Sequence, residues 1–147
     1  MLRRATKQKV ELVEIRQAAF GKGVFSLRDF PVEHRIARIA GRVIDDADYG
    51  SEYCMDLGGT LSLEPRAPYR YLNHSCDPNC TLVLEESDDK QPPRMFVETL
   101  RRVAAEEELT IDYCWTADAS IRCGCNSLNC RGWIVDPDEI SLIVTGD

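Results

Sequence analysis

A ten-residue stretch, YLNHSCDPNC at positions 71–80, concentrates side chains that can bind a metal or a polar ligand. It carries two thiols, an imidazole, two amides and a carboxylate. A second stretch, CGCNSLNC at positions 123–130, supplies three thiols with the spacing C-x-C-x4-C. Thiolates are preferred ligands of zinc, and a closed structural zinc site takes four ligands at the corners of a tetrahedron. Together the two stretches indicate a zinc site that fastens the tail to the middle of the chain.

The spacing alone does not decide which residue is the fourth zinc ligand. Cys123, Cys125 and Cys130 would be three of the ligands. Either His74 or Cys76 has a donor atom suited to the fourth place. The chain has seven cysteines and no secretory signal pattern, so metal binding or catalysis explains them better than a set of disulfides. The three other cysteines stand in strand-like runs, which predicts small buried side chains: Cys54, Cys80 and Cys114.

Short strands have to position these side chains. Alternating or apolar runs, separated by glycine, proline and acidic turns, predict strands at 10–15, 23–27, 35–44, 60–63, 80–85, 94–100 and 108–113. Helical signals are limited to single turns around 67–72 and 101–107, and the polar segment 87–93 predicts a hairpin loop. The sequence therefore predicts a mostly β fold with few short helices, followed after Trp115 by a Cys-rich tail.

Length and composition are those of one ordinary globular domain. The 147 residues are 44% hydrophobic and 29% charged, and no apolar run is long enough to span a membrane, so we expect a soluble, intracellular protein. The formal charge of −7 argues against direct nucleic-acid binding, which needs a basic face, and favours a basic partner. A short basic arm has the opposite charge, and the sequence does not show whether it has a function: Arg3, Arg4, Lys7 and Lys9. The sequence does not set an oligomeric state.

Four motifs in a fixed order give the sequence a family resemblance. GKGVFS (21–26) comes first, RYLNHSCDPN (70–79) and EELTIDY (107–113) follow, and C-x-C-x4-C ends the series. In this order they resemble the SET-domain family of protein lysine methyltransferases with its post-SET zinc tail. The resemblance implies a SET domain over 1–116 and a post-SET tail over 117–147. It also implies a fold of small curved sheets, in which the Asn-His-Ser-Cys and ELTIDY segments form a pseudoknot.

The same resemblance implies an activity and its ligands. The reaction would be transfer of a methyl group from S-adenosylmethionine to the ε-amine of a lysine in a histone tail or another basic protein. A eukaryotic source would then make the protein nuclear and chromatin-associated, and another source would make it cytoplasmic. One structural zinc ion would be bound by Cys76, Cys123, Cys125 and Cys130. The cofactor would be held by Gly21, Lys22, Gly23, Arg70, Asn73, His74 and Trp133. Pro78 and Asn79 would brace the pseudoknot.

Tyr113 is the predicted catalytic residue. The attacking lysine amine must be neutral, yet free lysine has a pKa near 10.4, so only about one in 10³ is neutral at pH 7. A narrow apolar channel and a nearby sulfonium would both lower that pKa. The Tyr113 hydroxyl would orient the amine and the methyl group. The alternative is that Tyr113 is a buried strand tyrosine without a catalytic role. Trp133 could also be a core residue instead of a cofactor residue. Trp115 is predicted to be a core residue.

Three positions depart from the pattern of the family. Ile111 stands two residues before Tyr113, where the family often has Tyr or Phe. Ile39 precedes Gly41 in place of an aromatic residue, and Leu82 occupies a position that is a tyrosine in some members. With fewer hydroxyls near the amine, the sequence does not decide whether one, two or three methyl groups would be added. The missing hydroxyls also favour a second interpretation, a catalytically silent module that binds a basic peptide. A replacement hydroxyl could come from Tyr49, Tyr53, Tyr69 or Tyr71.

Overall fold

A computed structural model describes residues 11–87 and 90–143 and shows a mostly β chain arranged in small sheets. The strands are β1 (Val13–Ala18), β2 (Gly21–Ser26), β3 (Arg35–Arg38), β4 (Gly41–Asp45), β5 (Met55–Gly58), β6 (Leu61–Pro65), β7 (Asn73–His74), β8 (Cys80–Glu85), β9 (Arg94–Thr99), β10 (Glu108–Ile111), β11 (Ile121–Arg122) and β12 (Trp133–Ile134). Short 3₁₀ helices span Tyr69–Tyr71, Ala117–Ala119 and Pro137–Leu142. The basic arm formed by Arg3, Arg4, Lys7 and Lys9 lies outside the described residues. Within these residues, no helix has the length and apolar character needed to cross a membrane.

Four sheets make up the described chain. The first has the order β1-β2-β10-β7, the second β3-β9-β8 and the third β4-β6-β5, while β11 and β12 form a separate pair in the tail. The core between the sheets is apolar, and its fully buried side chains include Val24, Phe30, Leu57, Val97, Val103 and Leu109. The predicted fold class is confirmed.

The two central motif segments, 71–80 and 107–113, pair with each other, and we call this paired region the knot. Asn73 pairs with Thr110 and His74 with Ile111, so that β7 runs parallel to β10. Asn79, only 2% exposed, adds a second connection through its side chain. Its Oδ1 accepts the Thr110 N–H at 2.9 Å, and its Nδ2 donates to the Glu108 carbonyl at 2.8 Å. The stretch 71–80 is therefore bound to β10 both by strand pairing and by a buried amide.

In the sequence, the hairpin of β8 and β9 lies between β7 and β10, the two strands of the knot. Its register runs without a break from Cys80 opposite Thr99 to Glu85 opposite Arg94. Both strands contain a run of three consecutive apolar residues next to turn residues, a pattern typical of short strands. Cys80, Met95 and Val97 point into the core.

The predicted strand at 35–44 is divided into two strands. β3 pairs with β9, whereas β4 pairs with β6, so the chain changes sheets between Arg38 and Gly41. The Ile39 N–H donates to the Met95 carbonyl at 2.8 Å on one side of this crossing. A Cβ at Gly41 would collide with the main-chain oxygen of Glu64, so glycine permits the close approach on the other side.

The three cysteines predicted to be buried have three different environments. Cys80 is fully buried, Cys54 is half-buried and Cys114 is exposed. The prediction is wrong for Cys114 because β10 ends at Ile111 and the strand alternation stops with it. Cys114 instead takes a φ of +50°, in the left-handed region.

The tail folds back onto the segment that follows β10. Val135 is fully buried, and the Asp136 N–H donates to the Trp115 carbonyl at 2.7 Å. The Glu139 carboxylate accepts the Ala117 N–H at 2.7 Å. These contacts place the tail beside Tyr113. The predicted boundary between a domain over 1–116 and a tail over 117–147 stays a prediction.

Candidate active site and metal centre

The structure brings four cysteine thiols together. The Sγ atoms of Cys76, Cys123, Cys125 and Cys130 all lie within 4.8 Å of one another. The Cys76 and Cys123 Sγ atoms are 3.8 Å apart, which is about the separation expected between two thiolates bound tetrahedrally at roughly 2.3 Å from one zinc ion. The donor set and its dimensions therefore fit zinc.

The electrostatics of the cluster also fit a divalent cation. Burial raises the pKa of the Cys123 thiol to about 12. Burial opposes ionisation of Cys125 as well, yet the Ser127 hydroxyl, 3.2 Å away, helps to lower the pKa of that thiol to about 6. Four neighbouring thiols cannot all ionise without a cation between them, since their thiolates would repel one another.

The His74 ring lies beside the thiol cluster rather than within it. The ring is 3% exposed, and its Nδ1 accepts the Tyr113 N–H at 3.0 Å. Burial lowers the pKa of His74 and keeps the ring neutral, so the proton belongs on Nε2, which faces the Cys76 Sγ at 3.4 Å. Because both ring nitrogens are used inside the protein, any cofactor contact from His74 has to come from its main chain.

Tyr113 stands two residues beyond the end of β10. Its hydroxyl donates to the Leu72 carbonyl at 2.6 Å, and its ring stacks on Trp115 with 5.3 Å between centroids. Burial raises the pKa of Tyr113 to about 12. The phenol is therefore protonated at neutral pH, so it can orient a ligand through hydrogen bonds but cannot act as a base.

A cavity of about 960 Å³ opens in front of Tyr113. Its walls are largely apolar, and its lining includes two exposed carboxylates, Glu52 and Asp56. The apolar walls include Leu72, Leu82, Met95 and Ile111. Trp115 also lines the cavity, although the sequence predicts a core residue. Its half-buried ring is a site residue that sequence reasoning missed; the one signal was its position two residues after Tyr113.

The departures from the family pattern and the candidate replacement tyrosines lie in different parts of the structure. Ile111 and Leu82 line the cavity, whereas Ile39 is buried in the core at 2% exposure. Of the four replacement candidates, Tyr53 is a cavity residue. Tyr49 donates to Glu64, Tyr69 is buried, and Tyr71 packs edge-on against Tyr53.

The glycine motif lies against the knot. The Asn73 Nδ2 donates to the Lys22 carbonyl at 3.0 Å and to the Glu108 carboxylate at 2.9 Å. A Cβ at Gly23 would collide with that carboxylate, and Gly21 has a φ of +84°. β10 pairs with β2 only at Val24 and Phe25, so the main-chain edge at Gly21–Gly23 is left free of β10. This open edge beside an amide suits a polar ligand.

Two cations stand near the same edge. The Arg70 guanidinium lies 4.2 Å from the centre of the Tyr53 ring, and the Lys22 Nζ lies 5.0 Å from the centre of the Tyr71 ring. Arg70 also lines the cavity of Tyr113. Six of the seven predicted cofactor residues thus lie in or beside the knot.

Trp133, the seventh predicted cofactor residue, is placed elsewhere. It lines a separate cavity in the tail and stacks beneath the Arg122 guanidinium, 4.5 Å from the ring centre. Phe20 is the aromatic residue that joins the glycine motif to the tail. Its ring is 64% exposed and packs on Gly124, where a Cβ would lie 3.0 Å from the ring. Phe20 was not predicted from the sequence to be a site residue.

Residues 21–114 match the family model of the SET domain. This chain belongs to the SET-domain family. The match covers the glycine motif, both halves of the knot and Tyr113, so the family prediction made from four motifs is confirmed.

Curated relatives of this SET domain carry related names. Histone-lysine N-methyltransferase ASHR3 of Arabidopsis thaliana is 30% identical over 145 residues, covering 87% of this chain and 28% of that protein. An H3 lysine-4 specific histone-lysine N-methyltransferase of Aspergillus fumigatus is 39% identical over 69 residues, covering 44% of this chain and 5% of that protein. The SET chain described here therefore spans less than a third of the length of these relatives.

Solved structures show the same SET fold. The structure of KRYPTONITE in complex with mCHG DNA and SAH matches with a TM-score of 0.74 and 24% identity, covering 83% of this chain and 28% of that chain. A second KRYPTONITE structure, which contains mCHH DNA, an H3(1-15) peptide and SAH, matches with a TM-score of 0.73. At this identity the likeness shows the fold, and the DNA, peptide and SAH are ligands of KRYPTONITE.

Proposed function

We propose that this SET domain transfers a methyl group from S-adenosylmethionine to the ε-amine of a lysine in a basic protein such as a histone tail. The observation that carries the proposal is the Tyr113 hydroxyl at an apolar cavity wall, close to the knot and the glycine motif. The relatives named histone-lysine N-methyltransferases support the same reaction class. The KRYPTONITE complexes with SAH support the cofactor.

The chemistry follows from the walls of the cavity. Leu72, Met95 and Ile111 disfavour an ammonium group, so a lysine side chain entering the cavity loses its proton to solvent more readily. The Leu72 carbonyl fixes the direction of the Tyr113 hydroxyl, which is thereby held ready to orient the amine. When bound, S-adenosylmethionine supplies the electrophilic methyl group. Most of the rate acceleration would come from positioning and electrostatics rather than from a general base.

The cofactor would lie along the open edge of the glycine motif. Lys22 and Arg70 are the cations suited to its carboxylate, and the Asn73 amide links this edge to β10 by donating to the Lys22 carbonyl and the Glu108 carboxylate. Trp133 would stack on the adenine, as the family resemblance implies. In this structure Trp133 lines a cavity other than that of Tyr113.

A basic substrate suits the charge of the domain. Glu52 and Asp56 are exposed at the cavity, and the whole chain carries a formal charge of −7. Opposite charge steers a basic peptide toward the opening and excludes acidic ones. A chromatin-associated location in a eukaryotic cell would follow from a histone substrate.

Transfer of a radiolabelled methyl group to a peptide array tests the proposed function. We expect label on lysine-containing basic peptides and none on matched peptides with arginine in place of the target lysine. The absence of label from every peptide and from recombinant histones, with SAH binding intact, would contradict the proposal.

A catalytically silent peptide-binding module is the second candidate. The observation that favours it is the apolar character of Ile111 and Leu82 at the cavity wall, where hydroxyls could have held the amine. This candidate requires peptide binding without transfer. Calorimetric titration with SAH and with the best-bound peptide, run beside the transfer assay, separates it from the enzyme.

We expect one zinc ion per chain, bound by Cys76, Cys123, Cys125 and Cys130. Cys125→Ser should lower the zinc content several-fold, because a structural site depends on all four ligands. Cys54→Ser is the matched control, since that half-buried thiol lies outside the cluster, and it should keep the full content. Elemental analysis of freshly purified protein measures both. Less than about half an equivalent in never-chelated wild-type protein would contradict the assignment.

A further inference from the structure

The carboxylate next to Tyr113 binds the tail. Asp112 Oδ1 accepts a hydrogen bond from the Arg131 Nη2 at 2.8 Å and from the Cys114 N–H at 3.1 Å. The side chains of Arg131 and Asp112 are 15% and 19% exposed. Because the pair is largely removed from water, it is screened less than the surface ion pairs of this chain.

Arg131 is fixed at both ends. Its main-chain N–H points to the Cys76 Sγ at 3.4 Å, and it follows the cluster residue Cys130 directly in sequence. Its Nη2 also donates to the Val135 carbonyl at 2.9 Å. The guanidinium therefore reaches Asp112 from a position that the thiol cluster and the buried part of the tail define.

Tyr113 is positioned by hydrogen bonds to the His74 side chain and the Leu72 carbonyl rather than by strand pairing of its own. β10 ends at Ile111, and none of the strands in residues 11–87 and 90–143 pairs with the two residues that follow. Cys114, directly after Tyr113, has a φ of +50°, a conformation that costs about 1 kcal/mol or more for a residue with a side chain. The hydrogen bond from its N–H to Asp112 stabilises this turn, so Asp112 holds the chain on both sides of Tyr113.

We propose that Arg131 is a positioning residue for the reaction, which acts on Tyr113 through Asp112. The inference rests on the proposed function, since it assigns a role in that reaction. It goes beyond the thiol cluster, because the contact that reaches the reacting centre comes from a guanidinium and not from a metal ligand.

A purely structural ion pair gives different results from a positioning one. Loss of a structural pair lowers the thermal stability and the zinc content, but folded, zinc-loaded molecules keep their turnover. Loss of a positioning pair lowers kcat in molecules that are folded and fully loaded, while the KM for the peptide changes little.

Arg131→Gln, Asp112→Asn and the double variant test the proposal in the whole chain. We expect each single variant to lose about tenfold in kcat at full zinc content, with KM within about twofold of wild type. The double variant should lose no more than about twofold beyond either single one, since both remove the same contact. Arg131→Lys, which keeps the charge, should recover part of the rate. Arg102→Gln is the matched control, because Arg102 is 76% exposed in its pair with Asp29 and should turn over as wild type does.

A spectroscopic readout makes the test independent of activity. The chain has two tryptophans, so Trp115 is the single one in a Trp133→Phe background. Trp115 stacks on Tyr113, and its emission should shift in the same direction in Arg131→Gln and Asp112→Asn, but not in Arg102→Gln. Unchanged kcat and unchanged emission in zinc-loaded Arg131→Gln would overturn the proposal. A wild-type protein that transfers no methyl group would contradict the proposed function, while the emission shift would still decide whether Arg131 positions the segment.

Discussion

Tyr113→Phe should lower turnover by about 10²-fold or more while the fold, the zinc content and the affinity for SAH stay close to wild type. The loss corresponds to about 2.7 kcal/mol of transition-state stabilisation. The hydroxyl donates to the Leu72 carbonyl at 2.6 Å, so its removal should also cost about 1 kcal/mol of folding free energy. Single-turnover kinetics on a peptide identified by the array would measure the chemical step directly.

Tyr49→Phe provides the matched control for this experiment. The Tyr49 hydroxyl donates to the Glu64 carboxylate at 3.0 Å and lies outside the cavity, so its loss should leave turnover unchanged. Near-full turnover of Tyr113→Phe would show that the assignment is wrong. Tyr53 would then be the next candidate, because it shares the cavity.

Asn79→Ala should produce the largest loss of stability among single changes in the knot. The side chain satisfies the Thr110 N–H and the Glu108 carbonyl, and both groups would be left without a partner in a buried place. At about 1–3 kcal/mol for each buried group, we expect the free energy of unfolding to fall by roughly 2–6 kcal/mol. Urea unfolding at constant free zinc measures the change, since removal of zinc would destabilise the chain by itself.

Asn73→Ala is the comparison that separates folding from binding. Its amide donates to Lys22 and to Glu108 in a more exposed setting, so we expect a smaller loss of stability. The affinity for SAH should fall instead, because the amide belongs to the proposed cofactor edge. A larger stability loss for Asn73→Ala than for Asn79→Ala would contradict this division of roles.

Short apolar runs bounded by turn residues made several strands predictable from the sequence. The strand at 80–85 was placed correctly, and its partner β9 was placed to within one residue, because each is a short, largely apolar run that follows turn residues. The strand β5 was missed since four residues, MDLG, are too few to show a period. The break between β3 and β4 was missed because a change of sheet depends on tertiary packing around Gly41, which a local pattern does not contain.

The candidate site was predictable where residue chemistry alone defines it. C-x-C-x4-C indicated a thiolate site, but the fourth ligand stayed open because His74 and Cys76 are two residues apart and either could reach. The structure places the His74 ring against Cys76 Sγ and Tyr113 N–H, a relation fixed by the parallel pairing of β7 with β10. Cys114 and Trp115 were wrongly predicted to be core residues for a related reason. The strand was expected to continue to residue 113 but ends at Ile111. The two irregular residues that follow it break the alternation, so Cys114 and Trp115 are not directed into the core.

The parallel pairing of β7 with β10 has a consequence for the order of folding events. Its pairs, Asn73 with Thr110 and His74 with Ile111, join segments that are separated by the whole hairpin of β8 and β9. A hairpin forms within about 1–10 μs, whereas pairing of distant segments must first overcome a larger loop-closure entropy. We expect the hairpin to form early and the knot to close late. The residues that would hold the cofactor are then assembled only in the final stage, so partly folded chains should be unable to bind it.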